Sequence, residues 1–173
     1  MAEMERAEFG EFAVGELFKI YTGGDFIIGR TQEGEIPLIS HQHDNNGITK
    51  FVQQVDGKKI YDYTKTISLA DRGVFYATTQ AYDFYIGTRV KALEFTDGTK
   101  TREQRLFTVA SINKLQPFFT EYSSNATDKL PNLKIQLPTT TDGNPNFPLM
   151  QAYIKAVEKQ VVAGLVAWLA EKA

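Results

Sequence analysis

The sequence predicts an α+β (mixed α/β) body, strand-rich at the front and closed by a long coiled-coil-like helix. Three features carry that reading. Short apolar segments alternate with Gly, Asn and Asp turns ahead of Asp97. A single segment of helical period follows the Asp97-Gly98 turn. From Pro148 onward the spacing changes again, and Met150, Ile154, Val157, Val161, Leu165 and Trp168 recur at steps of four and three, as in a seam. Helices segregated behind strands are the signature of an α+β arrangement.

Taken in order, residues 17–21 form a first strand that breaks at Gly23-Gly24. Residues 36–39 form a second apolar run, and 48–52 alternate as a strand behind the Asn46-Gly47 turn. Strands follow around 66–69, 74–77 and 90–95, with residues 83–86 before the last. Thr101 suits an N-cap with Glu103 in the first turn, predicting a helix over 102–115 that Pro117 ends. Leu133, Ile135 and Leu137 alternate with polar residues as a half-buried edge strand does, and Pro138 closes it. Asn146 is a suitable cap for the last helix, with Pro148 in its first turn. The partition expected is an acidic lead over 1–16, a globular domain over 17–147 and a helix over 148–173.

The chain has 173 residues, room for one domain with a sizeable core, and its 12 Phe and 8 Tyr exclude a disordered chain. It contains no cysteine, which excludes disulfides, thiol nucleophiles and thiolate metal sites, and fits a reducing compartment. Residues 1–16 lack the apolar core of a signal peptide. The most apolar stretch, 157–170, is interrupted by Glu158, Lys159 and Gln160 and is too short to span a bilayer. A soluble, cytoplasmic protein with no membrane partner is expected. The net charge of −2 is unevenly placed: residues 1–16 hold five Glu against one Arg, while the rest of the chain is slightly positive. A near-neutral body leaves a polyanionic ligand open if its cations face one side.

The chemistry of catalysis is absent from the pattern. Gly23-Gly24 and Gly29 lack both the GxGxxG spacing and the Lys-Ser/Thr of a phosphate loop, and read as a glycine-enabled turn. His41, His43 and Asp44 place two imidazoles on one side of a strand but lack a third ligand at metal spacing. Ser40 and His41 have no triad spacing, and carboxylates are scattered rather than paired. No Asp/Asn-Pro-Pro-Tyr/Phe methyltransferase signature occurs. No enzyme activity and no cofactor or metal are expected of this chain alone.

Two loops instead carry hydrogen-bonding side chains. Ser40, His41, Gln42, His43, Asn45 and Asn46 form one cluster; Thr78, Thr79, Gln80 and Tyr82 form the other. Asn and Gln pair with adenine edges, His, Arg and Lys with guanine, and Ser and Thr with either. Lys50, Arg72, Arg89, Arg102 and Arg105 are the cations for phosphate contacts. By composition alone, the same loops also read as solvated turns.

The blocks Leu17-Phe-Lys-Ile-Tyr-Thr-Gly-Gly24, Ile36-Pro-Leu-Ile-Ser40 and Asn45-Asn-Gly-Ile-Thr49 resemble the opening of a target-recognition domain. Such domains occur in the DNA specificity subunits of Type I and related Type IIG (BcgI-like) restriction–modification systems. Ile67-Ser-Leu-Ala-Asp-Arg-Gly73 with Val74-Phe-Tyr76 resembles the next block, and Lys129-Leu-Pro-Asn-Leu-Lys-Ile-Gln-Leu-Pro138 the closing one. Tyr153-Ile-Lys-Ala-Val-Glu-Lys159 resembles the start of the helical spacer. Each block is degenerate; their order across 12–160 is the specific part. The resemblance implies sequence-specific binding of double-stranded DNA, with methylation and cleavage supplied by modification and restriction subunits or fused domains. A full specificity subunit has two recognition domains and two spacer helices, and this chain has room for one of each. Two-fold association through the terminal helix, a homodimer, would restore the second. The reading from another class is a scaffold domain acting through that helix.

Overall fold

In the computed structural model, which describes residues 2–71, 74–119 and 128–172, three small sheets and two substantial helices form the α+β body. The central sheet has four antiparallel strands in the order β2-β8-β5-β6, formed by Phe18–Thr22, Val90–Phe95, Thr66–Ala70 and Tyr76–Thr78. A second sheet, β4-β3-β7, combines Ile48–Val52, Glu33–Ile39 and Tyr85–Ile86, with β7 parallel to β3. Between these two sheets Ile39, Phe84, Ile86, Val90 and Ala92 form one core. On the other face of the central sheet, Ile67, Leu69, Leu93 and Phe95 pack with Ile112, Leu130, Ile135 and Met150 in the larger core. All five residues of β5 are consequently buried, because the strand is covered on both faces.

The acidic stretch does not stand apart from the body. Phe9–Ala13 forms β1, paired antiparallel with β9 (Lys134–Pro138), and Val14, at the start of the short helix α2 (Val14–Leu17), is 1% exposed in the larger core. The boundary expected after residue 16 is therefore crossed by a strand ladder joining residues 9–13 to 134–138. β9 has the expected alternation, with Ile135 and Leu137 buried and Lys134 and Gln136 exposed.

Thr101 caps the helix α3 (Arg102–Asn113) as expected: the Gln104 amide donates to Thr101 Oγ1 at 3.3 Å and the Thr101 amide to Gln104 Oε1 at 2.9 Å. The helix stops two residues earlier than expected, and a 3-10 turn over Gln116–Phe119 takes up the chain around Pro117. Ahead of all these elements lies a four-residue helix, α1 (Ala2–Glu5). The last helix, α4 (Phe147–Lys172), is 26 residues long, about 39 Å at 1.5 Å per residue. Asn146 Oδ1 accepts from the Leu149 amide at 3.1 Å, capping it. Its first half lies against α3 through an edge-on Phe107–Tyr153 pair, a Gln104–Gln151 hydrogen bond and an Arg102–Glu158 ion pair. Its second half, 159–172, is exposed on every side. Among the described residues no helix is long and apolar enough to cross a membrane.

Candidate nucleic-acid interface

The turn between β3 and β4 carries the first polar cluster. Asn45 and Asn46 have φ of 48° and 53°, and Gly47 follows at 79°, so three consecutive residues are left-handed. Asparagine tolerates this conformation better than most residues, and glycine adopts it freely. A Cβ at Gly47 would also meet Ile39 Cγ2 at 2.9 Å. The turn closes through the Ser40 amide donating to the Gly47 carbonyl at 2.8 Å. His41, His43, Asp44, Asn45 and Asn46 are exposed, and Ser40 and Gln42 are half-buried. Gln42 Nε2 and Asn45 Nδ2 both donate to the Ile48 carbonyl, at 3.1 and 3.3 Å. Each amide uses one N–H there, and keeps the other N–H and its carbonyl oxygen, the pair an adenine edge requires. His43 Nε2 lies 3.4 Å from Asp44 Oδ1, and its ring meets Tyr76 edge-on.

The second cluster divides. Tyr82 is 68% exposed, but Thr78 and Gln80 are buried at 6% and 5%, with Thr79 between them half-buried. Both buried side chains point back at the first cluster: Thr78 Oγ1 donates to the Asn46 carbonyl at 3.1 Å and Gln80 Nε2 at 2.9 Å. Direct base reading by Thr78 and Gln80, expected from the sequence, is corrected by this burial, since Thr78 Oγ1 and the donor Nε2 of Gln80 are already engaged inside.

The cations divide as well. Arg105 is 4% exposed, donating from Nη1 to the Lys100 carbonyl at 2.6 Å and more weakly to Thr64, with its guanidinium over the Tyr63 ring. Burial pushes its pKa down, against the opposing pull of Tyr63, Asp62 and Glu103. It ties 100–105 to the strand-side turn at Thr64 and is not available to phosphate. Arg102 is engaged with Glu158 of α4, away from both loops in its contacts. Lys50, on β4, is half-buried, with Nζ donating to the Thr31 carbonyl at 2.9 Å, so its amine reaches toward the start of β3. Arg89 is half-buried at a left-handed φ of 63°. Arg72 lies outside the described residues.

At the opposite end of the β3–β4 hairpin, a cleft of about 550 Å³ is lined by Arg30, Gln32, Gln53, Gln54 and Lys58 together with Asp25. Sequence reasoning passed over these residues. The available signal was two polar runs, Arg30-Thr-Gln32 and Gln53-Gln54, flanking the strands of one hairpin. Lys58 Nζ donates to the Asp25 carbonyl at 2.7 Å and lies over the Phe26 ring, contacts that fix its position on the cleft wall.

Residues 7–165 match the family described as Type I restriction modification DNA specificity domain. A curated relative, the BgcI specificity subunit S.BcgI of a Type II restriction enzyme from Heyndrickxia coagulans, is 25% identical over 169 residues, covering 94% of this chain and 47% of the relative. The chain thus spans about half the length of the curated relative it matches. Among solved structures, the HsdS subunit from Thermoanaerobacter tengcongensis superposes with a TM-score of 0.62 at 18% identity, over 90% of this chain and 38% of that one. The Type I restriction–modification S subunit from M. genitalium gives 0.59 at 19% identity, over 97% of this chain and 44% of that one. A structure from work on complex assembly of the type I R-M system gives 0.66 at 17% identity, over 98% and 45%. At these identities the structures share the fold. With the family match running over nearly the whole chain, the protein belongs to the Type I restriction modification DNA specificity domain family.

Proposed function

We propose that this chain reads a base sequence in double-stranded DNA through loop 41–46 and directs partner methyltransferase and endonuclease subunits to it. The carrying observation is the placement of five exposed polar residues and half-buried Gln42 on one tightly closed loop, in a chain of a DNA specificity family. Gln42 and Asn45 supply donor–acceptor pairs for base edges, and His41, His43 and Asn46 extend the surface. Lys50, Arg89 and Arg72 hold phosphates; Thr79 and Tyr82 form the flank. The chain performs no chemistry itself and takes no cofactor, and a cytoplasmic location follows from its ligand.

The exposed half of α4 is the assembly element in this proposal. Val161, Val162, Leu165, Val166, Trp168 and Leu169 are each more than half exposed, an apolar surface that its own domain does not cover. Pairing with a second copy places two half-sites in inverted orientation. The same surface favours the second reading, a scaffold domain working through its helix, and DNA binding separates the two.

Selection from a randomised 20-base-pair duplex pool, at two salt concentrations, is the test. A defined sequence should emerge, and Gln42→Ala should cost about 1–3 kcal/mol on it and relax the preference locally. Lys50→Ala should weaken all duplexes alike and reduce the salt slope by about one. If the intact chain enriches no sequence, the DNA-reading proposal fails.

A further inference from the structure

The two polar loops are joined by a buried network whose proton direction can be worked out. The Asn46 carbonyl only accepts, so Thr78 Oγ1, 3.1 Å away, donates to it. Thr78 Oγ1 must then accept from Ser68 Oγ, at 2.7 Å. Gln80 Nε2 supplies its two hydrogens to the Asn46 carbonyl at 2.9 Å and to Thr78 Oγ1 at 3.0 Å. Every donor has an acceptor, and Ser68, Thr78 and Gln80 are 1%, 6% and 5% exposed. The carbonyl they hold belongs to the middle of the three left-handed residues. Such a backbone persists only where its surroundings fix it.

We propose that Gln80, with Thr78 and Ser68, is a positioning residue for recognition: it locks loop 41–47 into the single shape from which Gln42 and Asn45 meet base edges. This deepens the reading of that loop as the DNA-contacting element and rests on it. The chemistry at position 80 requires a donor. A carboxylate there would face the Asn46 carbonyl with acceptor against acceptor, and an apolar side chain would leave that carbonyl without its stronger partner. Position 78 requires a hydroxyl, which donates to Asn46 and accepts from Ser68 and Gln80 at once.

The test uses the full chain and four variants: Gln80→Met, Gln80→Glu, Thr78→Val and Thr78→Ser. Amide hydrogen exchange over 41–48, measured without DNA, reads the loop directly. Gln80→Met, Gln80→Glu and Thr78→Val should raise it about ten-fold or more while β5 and β8 exchange as in the parent, and Thr78→Ser should stay at the parent value. On the randomised duplex pool, the first three variants should lose on the order of ten-fold in preference at a subset of base positions. Low-salt binding to arbitrary duplex should be unchanged, and Thr78→Ser should keep the preference. Unchanged exchange over 41–48 overturns the assignment whether or not the chain binds DNA. Raised exchange with an unaltered base preference also overturns it, leaving the network merely structural. A parent chain without any base preference overturns the DNA reading and the recognition role of Gln80 together, while the exchange data still show separately whether the network holds the loop.

Discussion

The two halves of α4 share one apolar rhythm and meet opposite environments. Over 147–158 the helix lies along α3, Met150 is fully buried in the larger core, and Ile154 and Val157 are half-buried. Over 159–172 the same spacing brings Val161, Leu165 and Trp168 to 65%, 54% and 54% exposure. The apolar band in this half is also wider than the seam, because Val162, Val166 and Leu169 are exposed beside it. Periodicity marks a face that needs covering, but what covers it is decided by where the rest of the fold ends. Here α3 is only 12 residues long and runs out before the second half begins.

Removing the packed anchor gives the largest effect. Met150→Ala should lower unfolding stability by about 2–5 kcal/mol in denaturant titration, since it opens a cavity in a covered core. A loss below about 1 kcal/mol there would mean that the first half of the helix contributes little to the body, and the contrast would collapse. Thr101→Ala should cost about 1 kcal/mol by releasing the α3 cap against which that half packs. The Arg102–Glu158 pair sits at the edge of the same contact with both side chains partly exposed, and a double-mutant cycle should return about 0.2–1 kcal/mol.

The helix α3 against which the first half packs should also show a pH response. The Glu103 carboxylate accepts from its own backbone amide at the start of α3, and Thr101, Lys155 and Arg102 add to that; together they outweigh burial and hold its pKa below the ordinary carboxylate value. A depressed folded pKa stabilises above the unfolded value, roughly pH 4.3, and that contribution is lost as pH falls through the folded value. Glu103→Gln should flatten this part of the acid limb; an identical acid limb in the variant would refute the contribution.

The smallest effect on unfolding should come from the exposed half. Leu165→Glu with Trp168→Glu should change stability of the dilute chain by less than about 0.5 kcal/mol. The same pair should abolish the association expected of the intact chain, converting a dimer mass to a monomer mass in light scattering. A monomer at tens of micromolar before any substitution would refute self-association and leave the band to a different partner.

Local sequence determined most of the elements. Alternation placed β9, the Asn46-Gly47 pair placed the left-handed turn, Thr101 and Asn146 set the two helix starts, and the order of blocks identified the family. These depend on backbone preferences and side-chain periods that act within a few residues. The tertiary structure decided the rest. Residues 1–16 read as an acidic lead outside the globular domain, yet the strand within them has its partner more than a hundred residues away in β9. Gln80 and Arg105 belong to types that usually face water, and partners that include the sequence-distant carbonyls of Asn46 and Thr64 and the nearby carbonyl of Lys100 make their burial tolerable. A polar side chain's role turns on whether its partner is solvent, ligand or its own backbone. That choice is made by contacts between segments far apart in the chain, which no local pattern records.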